Sequence, residues 1–133
     1  MTGETNLQQL LATLRPKLQP GDYVFCTVHS LDGINAEKII CSFKEDEGIT
    51  VIIEKELADR LQFSYSFTAA WITLTVHSSL EAVGLTAAFA AALAKENISC
   101  NVVAAFYHDH IFVNNKDTAK AMDILGRFAG NKA

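Results

Sequence analysis

Hydrophobic and polar residues follow two periods along this chain, and together they predict an α+β protein. At the start, leucines recur at helical spacing over residues 6–14, and Pro16 ends the predicted helix. Residues 23–29 are a dense run of β-branched and aromatic side chains, typical of a strand that is buried on both faces. A loop at residues 30–36 follows this strand.

A hairpin and a short helix complete the first half of the pattern. Residues 37–44 and 49–53 are predicted strands. They are joined across residues 45–48, where Gly48 supplies the positive φ that the turn needs. Residues 54–61 are a predicted short helix.

The second half begins with a strand and a helix. Along the predicted strand at residues 71–77, Ile72, Leu74 and Val76 alternate with polar residues and share one face. The helix begins near Gly84 and ends at Lys95.

A second hairpin and a final helix close the pattern. Residues 99–107 and 110–113 are predicted strands that turn on His108 and Asp109. An asparagine, at position 114 or 115, then caps a helix that ends at Gly130. The side chains that this helix buries are Met122, Leu125 and Phe128.

The order of elements indicates a degenerate internal duplication, because strand, strand and helix follow Ala36 and again follow Ile98. We expect domains at residues 1–66 and 67–133, each resembling most of a βαββαβ unit. In the first copy a loop replaces the first helix. The second copy lacks a closing strand, so we expect residues 23–29 or a neighbouring chain to complete its sheet.

Composition excludes several classes of function. The chain has 133 residues, half of them hydrophobic, and a formal net charge of -4, which fits a globular protein and disfavours binding to nucleic acid or to an anionic membrane. Its three cysteines form no CxxC pair, which is typical of a reducing compartment, and we expect a cytoplasmic protein. The uncharged, alanine-rich run at residues 82–94 is too short to span a bilayer. No residue pattern predicts a cofactor.

A glycine turn between the strand at 71–77 and the next helix is the first candidate site. Backbone N–H groups at the start of a helix can bind a carboxylate, and Gly84 would let a ligand approach closely. The structural alternative is a capping box made by Ser78 and Glu81, with Gly84 only easing the packing of the helix.

The helix that follows is apolar or small around its whole circumference. Leu85, Phe89 and Leu93 are expected to face the sheet. The opposite stripe, made of Ala87, Ala91 and Ala94, favours association with another helix or module. Alternatively, this stripe is simply exposed to water, which alanine tolerates in a helix.

Two further groups of residues contain side chains that chemical sites use. His108, Asp109 and His110, with His77 as a distant third imidazole, form the one cluster that suggests a metal, but the pattern does not make these side chains converge, and we predict no metal site. Cys100 lies among apolar neighbours, as inert buried thiols do. No nucleophile motif is present, so we do not expect an enzyme.

With these residues laid out, the second half resembles an ACT domain, a small ferredoxin-like module that binds amino acids. The resemblance is carried by VHSSLEAVGLTAAFAAAL, and by ISCNVVA and YHDHIFV, which are phrases of stand-alone tandem ACT proteins. In the first half, FKEDEGITVIIEKELADR is similar to the same group. Asn97 and Ser99 depart from the residues most common in the family. The resemblance implies two ferredoxin-like modules in tandem, with antiparallel sheets and helices on one face, similar to the regulatory domains of aspartate kinase.

The same resemblance implies a site and a role. Effectors of ACT proteins lie between two modules, held by the first strand-to-helix loop of one and a strand of its neighbour. The residues carried over to this chain are Ser78, Leu80, Glu81, Val83, Gly84, Leu85 and Asn101. The leading hypothesis is thus a regulatory protein that binds an amino acid or related metabolite and forms a dimer. The alternatives are a ligand-free interaction module and, last, a metal-dependent hydrolase.

Overall fold

A computed structural model of the protein describes residues 7–76 and 83–130. The chain gathers into two compact units. The split unit combines the residues up to Gln19 with those from Ala70 onward, and the central unit is Pro20–Ala69. The predicted domains 1–66 and 67–133 assign the N-terminal residues differently, and as a statement about separate domains this division stays a prediction.

The described residues form the following elements. The strands are β1 (Arg15–Leu18), β2 (Tyr23–Val28), β3 (Cys41–Lys44), β4 (Ile49–Glu54), β5 (Thr68–Thr75), β6 (Asn101–Ala104) and β7 (Asp109–Asn114). The helices are α1 (Leu7–Thr13), α2 (Lys55–Arg60), α3 (Leu85–Lys95) and α4 (Thr118–Gly130), with 3-10 turns at Ala36–Lys38 and Asn115–Asp117. The predicted α+β class is confirmed.

The central unit is an antiparallel sheet covered by α2. β4 pairs with both β2 and β3, and β2 also meets Thr68 and Ala69, the first two residues of β5. The strand order β3-β4-β2-β5 is that of a βαββαβ unit. Alternate residues of β2 and β4 face α2 and bury a core that includes Val24, Val51, Ile53, Leu57 and Ala58.

The link from β2 to β3 holds no α-helix, as predicted, but the strand at residues 37–44 begins later than predicted. The Asn35 side chain accepts a hydrogen bond from the Glu37 N–H at 3.0 Å and so caps the 3-10 turn Ala36–Lys38. This local bond competes with strand pairing, and β3 therefore starts only at Cys41. The turn at residues 45–48 is confirmed by the bond from the Glu45 N–H to the Gly48 carbonyl.

The split unit has the strand order β1-β5-β7-β6, with helices α1, α3 and α4 around one core. The predicted faces are confirmed, since Ile72, Leu74 and Val76 of the β5 segment are buried. So are Leu85, Phe89 and Leu93 of α3. From α1, Leu10 packs into the same core, together with Leu14, which follows the helix. In α4 the predicted Leu125 is fully buried, whereas Met122 and Phe128 are partly buried.

The strand that closes the sheet of the split unit is not the one predicted. β1 pairs antiparallel with β5, from Arg15 opposite Thr75 to Leu18 opposite Ile72. The Gln19 N–H extends the ladder with a 2.9 Å bond to the Trp71 carbonyl. The strand predicted for this place, residues 23–29, pairs with β5 only at Thr68 and Ala69, and β1 rather than another chain lies beside Ile72–Thr75. Pro16 hid the strand, because proline has no N–H to donate and is confined to edge strands and bulges.

The second hairpin also turns differently from the prediction. Ala104 lies opposite Asp109, so the turn comprises residues 105–108 and Asp109 belongs to β7. The Ala105 N–H donates to the His108 carbonyl at 3.0 Å. The two-residue turn on His108 and Asp109 was wrong because the turn contains two aromatic residues, Phe106 and Tyr107, which have high strand propensity. The predicted cap at Asn114 is confirmed for the 3-10 turn that precedes α4.

Two helices end in the same way, and neither uses glycine. After α3, the Asn97 N–H bonds to the Ala94 carbonyl and the Ile98 N–H to the Leu93 carbonyl. This is the pair of bonds that defines a Schellman motif. α2 repeats the pattern, with Gln62 in the position of Asn97. Both residues have a left-handed backbone, with φ of 60° at Gln62 and 62° at Asn97.

No helix among the residues that the structure describes is long and apolar enough to cross a membrane.

The left-handed helix ends yield a stability prediction. Replacing Gln62 by glycine should raise the free energy of unfolding by about 0.5–1 kcal/mol, because the strain of a side chain at this φ exceeds the entropy that glycine adds to the unfolded chain. Asn97→Gly should give a smaller gain, since asparagine tolerates this conformation better. Urea denaturation measures both changes. Asn115→Gly, at a position with ordinary φ, is the control, and equal gains at all three positions would contradict the argument.

Candidate ligand-binding site

Gly84 begins α3 in a conformation that favours glycine. Its φ is 93°, and its carbonyl accepts the first helical hydrogen bond, from the Ala88 N–H at 2.9 Å. A glycine at this position has no side chain to cap the first N–H groups of the helix. These donors lack partners within the helix itself. The turn thus has the local features that suit an anionic ligand, and the ligand site itself stays a prediction.

The other predicted residues of this turn divide into three groups. Val83 is 84% exposed, so its side chain is accessible to a ligand. Leu85 is only 4% exposed, and its side chain belongs to the core, which leaves its backbone N–H as the group that a ligand would contact. Ser78, Leu80 and Glu81, including the alternative capping box, lie outside the described residues.

Helix α1 covers one side of the glycine turn. A Cβ atom added to Gly84 would lie 3.3 Å from Cδ2 of Leu7 and 3.9 Å from its Cδ1. This contact was not visible in the sequence, because it joins the two separate segments of the split unit. Two features therefore favour glycine here, the positive φ and the close approach of Leu7.

Asn101 lies on β6, at the end of the strand order in the split unit. β7 separates β6 from β5, the strand that leads toward the glycine turn. The Asn101 amide donates through Nδ2 to the Phe112 carbonyl at 3.2 Å, while its oxygen has no hydrogen bond within the described part of the chain. The side chain is exposed and offers that oxygen as an acceptor.

A polar network around His110 lies on the sheet face opposite the helices of the split unit. The Trp71 indole N–H donates to His110 Nδ1 at 3.1 Å. The Thr73 hydroxyl, which accepts from the Gln19 amide at 2.9 Å, lies 3.1 Å from the same nitrogen. An indole can only donate, so Nδ1 is an acceptor and the proton of the neutral ring is on Nε2. Burial, and then the nearby His108, lower the pKa of His110.

The histidine cluster does not form a metal site among the residues that the structure describes. No three His, Cys, Asp or Glu side chains converge in residues 7–76 and 83–130. The rings of His108 and His110 are 6.1 Å apart between centroids, and His77 lies outside the described residues. Burial raises the pKa of Asp109, which makes it a poorer anionic ligand.

Cys100 has the environment of an inert thiol. Its side chain packs against the core of the split unit, and burial raises its pKa to about 11. The thiol is therefore protonated near neutral pH, and a protonated thiol is a poor nucleophile.

The central unit contains a cleft of about 530 Å³ that the sequence did not predict. It opens between β2 and residues 64–66, because β2 pairs with β5 only at Tyr23 and Val24 and the two segments then diverge. Its lining residues are Phe25, Cys26, Thr27, Thr50, Ser64, Tyr65 and Ser66. None of these side chains is charged at neutral pH, so the cleft suits a charged metabolite less well than the start of α3 does.

Family comparisons agree with the duplicated pattern. Residues 2–70 match the sequence profile of an ACT domain, and residues 66–127 match another ACT domain profile. The chain belongs to the ACT domain family. A search of curated proteins found no match to the sequence. The predicted arrangement of two ferredoxin-like ACT modules in tandem is confirmed.

Solved structures with the same ACT fold include one close relative and several distant ones. A Vibrio cholerae protein of unknown function, described as a possible transport protein, is 48% identical, with a TM-score of 0.84 over 92% of this chain and 95% of that chain. Aspartate kinase from Clostridium acetobutylicum, described as an allosteric enzyme, is 11% identical, with a TM-score of 0.59 over 90% of this chain and 34% of that chain.

Aspartokinase III from E. coli, solved in complex with aspartate and ADP, gives a similar result. It is 11% identical, with a TM-score of 0.60 over 89% of this chain and 33% of that chain. The ACT chain thus spans about a third of the length of each of these kinases. At this identity the likeness concerns the fold.

The strain at Gly84 can be separated from its contact with Leu7. Gly84→Ala should lower the free energy of unfolding by about 1–2 kcal/mol because of the left-handed backbone. The clash between the added Cβ and the Leu7 side chain should increase this loss. Gly33→Ala is a matched control, because Gly33 has φ of 86° and nothing within 4 Å of an added Cβ. Chemical denaturation should show the larger loss at Gly84. A larger loss at Gly33 would contradict the role assigned to Leu7.

The network around His110 predicts a dependence of stability on pH. Its folded pKa lies below the ordinary 6.5, so the unfolded chain takes up a proton first as the pH falls. The contribution of His110 to stability is complete above its pKa in the unfolded chain and is lost as the pH drops through its pKa in the folded protein. His110→Gln should therefore flatten the decline in unfolding free energy measured from about pH 7.5 to about pH 5.5. His29→Gln, at an exposed position, should leave this decline unchanged. Equal slopes in the two variants would rule out His110 as the origin of the pH dependence.

Proposed function

We propose that this ACT protein is a regulator that binds an amino acid or related metabolite and responds by changing the contacts that ACT modules make with one another. The observation that carries the proposal is the start of α3, where Gly84 has positive φ and no side-chain cap and its neighbour Val83 is exposed. The two kinases of similar fold are described as allosteric or were solved with an amino acid, and this supports the idea by analogy.

The proposed ligand is held mainly by backbone groups. The first N–H groups of α3, at Leu85, Thr86 and Ala87, bind its carboxylate, because they have no acceptor inside the helix and lie at the positive end of the helix dipole. Glu81 is assigned to the ammonium group. Ser78, Leu80, Val83 and the oxygen of Asn101 complete the proposed set. No residue is assigned a catalytic role.

A second candidate function is a ligand-free interaction module. It is favoured by the stripe of Ala87, Ala91 and Ala94, which is exposed along α3. Such a flat stripe suits close packing against another helix, as in a dimer. Ala91→Glu should abolish concentration-dependent assembly under this alternative, as measured by analytical ultracentrifugation.

We also propose that the protein is cytoplasmic, since Cys26, Cys41 and Cys100 are all free.

Thermal denaturation with a panel of the twenty amino acids, each at about 10 mM, tests the first proposal. A ligand present at about a hundred times its dissociation constant should add about 2.7 kcal/mol to the free energy of unfolding. Stabilisation by none of them would contradict the proposal.

The exposed Thr86 allows a sharper test of the site. Thr86→Glu places a carboxylate at the first turn of α3, which favours the helix but repels a bound carboxylate by about 1 kcal/mol, or roughly fivefold in affinity. Thr86→Gln is the matched control, because it has nearly the same shape without the charge. Isothermal titration should show weaker binding only for Thr86→Glu. Equal affinities of the two variants would place the ligand elsewhere.

A further inference from the structure

We propose a second small-molecule site in the split unit, beyond the C-terminal end of α3, which takes the zwitterion of a small amino acid. This site does not depend on the proposed function at the start of the helix. A cavity of about 320 Å³, open to solvent, lies here between the residues that follow α3 and the 3-10 turn that precedes α4. An α-helix of 11 residues is about 16 Å long, so a ligand here is well separated from one at Gly84.

Two adjacent charges of opposite sign line the cavity. Lys116 and Asp117 both belong to the 3-10 turn Asn115–Asp117. Within residues 7–76 and 83–130, neither side chain takes part in an ion pair or a hydrogen bond. Their neighbour Lys120, by contrast, is paired with Glu96 at 3.5 Å. An unpaired cation beside an unpaired carboxylate matches the two charges of an amino acid.

The neutral groups around the cavity add specificity. Asn97 and Ser99 form one side of it, and their side chains have no hydrogen bond within the part of the chain that the structure describes. Asn114 forms part of the other side. Its oxygen accepts from the Lys116 N–H at 3.1 Å, which leaves the amide NH₂ to donate. A few placed polar groups of this kind fix the orientation of a small ligand.

The backbone on both sides of the cavity is held in place before any ligand binds. The Schellman bonds at the end of α3 fix residues 97 and 98, and Ile98 is anchored in the core with 3% exposure. The Asn114 cap fixes the backbone of the turn that carries Lys116 and Asp117. Such preorganisation lowers the entropy cost of binding.

The assignment follows from charge and size together. The exposed Lys116 binds the ligand carboxylate and the half-buried Asp117 the ammonium, so a molecule with only one of these groups makes one charge-assisted hydrogen bond fewer. The volume is near the lower end of the range for ligand pockets, which favours a small amino acid over a nucleotide or a peptide. The hydroxyl and amide groups on both sides favour a polar side chain on the ligand.

The test is an amide NMR titration of the full chain with glycine, L-serine, L-threonine and L-asparagine, each up to about 10 mM. At least one of them should shift the amide signals of residues 97–99 and 114–117. For L-serine, the methyl ester lacks the carboxylate and N-acetyl-L-serine lacks the ammonium. If L-serine shifts the amide signals of residues 97–99 and 114–117, neither its methyl ester nor N-acetyl-L-serine should shift them. Shifts confined to residues 83–87 would overturn this site while supporting the first one, and no shift at residues 97–99 or 114–117 with any of the four would also overturn it.

Two conservative variants identify the groups responsible. Lys116→Gln and Asp117→Asn should each weaken binding about tenfold, because each removes one charge while keeping a side chain of similar shape that can still form hydrogen bonds. Lys120→Gln, on the adjacent turn of α4, is the matched control and should leave the affinity unchanged. Unchanged affinity in both Lys116→Gln and Asp117→Asn, or an equal loss in Lys120→Gln, would show that the charges of Lys116 and Asp117 do not bind the ligand.

Discussion

The pairing of β1 with β5 is the constraint on which the split unit depends. Without Arg15–Leu18, the β5 edge at Ile72–Thr75 would present unpaired backbone groups. Leu10 and Leu14, which fill part of the core, lie in the segment directly before this strand. The same N-terminal segment brings Leu7 against Gly84 and Gln19 against Thr73. One short segment thus closes the sheet, fills the core and shapes both the glycine turn and the polar network around His110.

Strong periodicity was the part of the fold that the sequence could predict. The buried faces of α3 and β5 follow directly from Leu85, Phe89 and Leu93 and from Ile72, Leu74 and Val76. β1 was missed because three of its four residues, Arg15, Pro16 and Lys17, are charged or lack an N–H, and their strand character comes from the partner strand. The turn at residues 105–108 was missed because exposed Phe106 and Tyr107 have the composition of a strand.

The candidate site was predictable only where it depends on local conformation. A glycine between a strand and an apolar helix indicates a special backbone, and Gly84 has it. The contact with Leu7 joins residues far apart in sequence, and no local pattern encodes it. The cavity beside Lys116 and Asp117 was missed for the same reason, since it brings the end of α3 together with the turn after β7. In the sequence, Lys116 and Asp117 look like ordinary surface charges, and only the fold shows that they line a cavity.

The topology of the split unit has a consequence for the order of events during synthesis. Gln19 lies 54 residues before its partner Thr73, so the N-terminal strand leaves the ribosome long before the segment that it pairs with. The residues between them belong mainly to the central unit, whose strands find their partners within a shorter stretch of chain. Local pairings close faster than distant ones. The central unit therefore begins to fold first during translation, and the N-terminal strand stays unpaired until the later residues emerge.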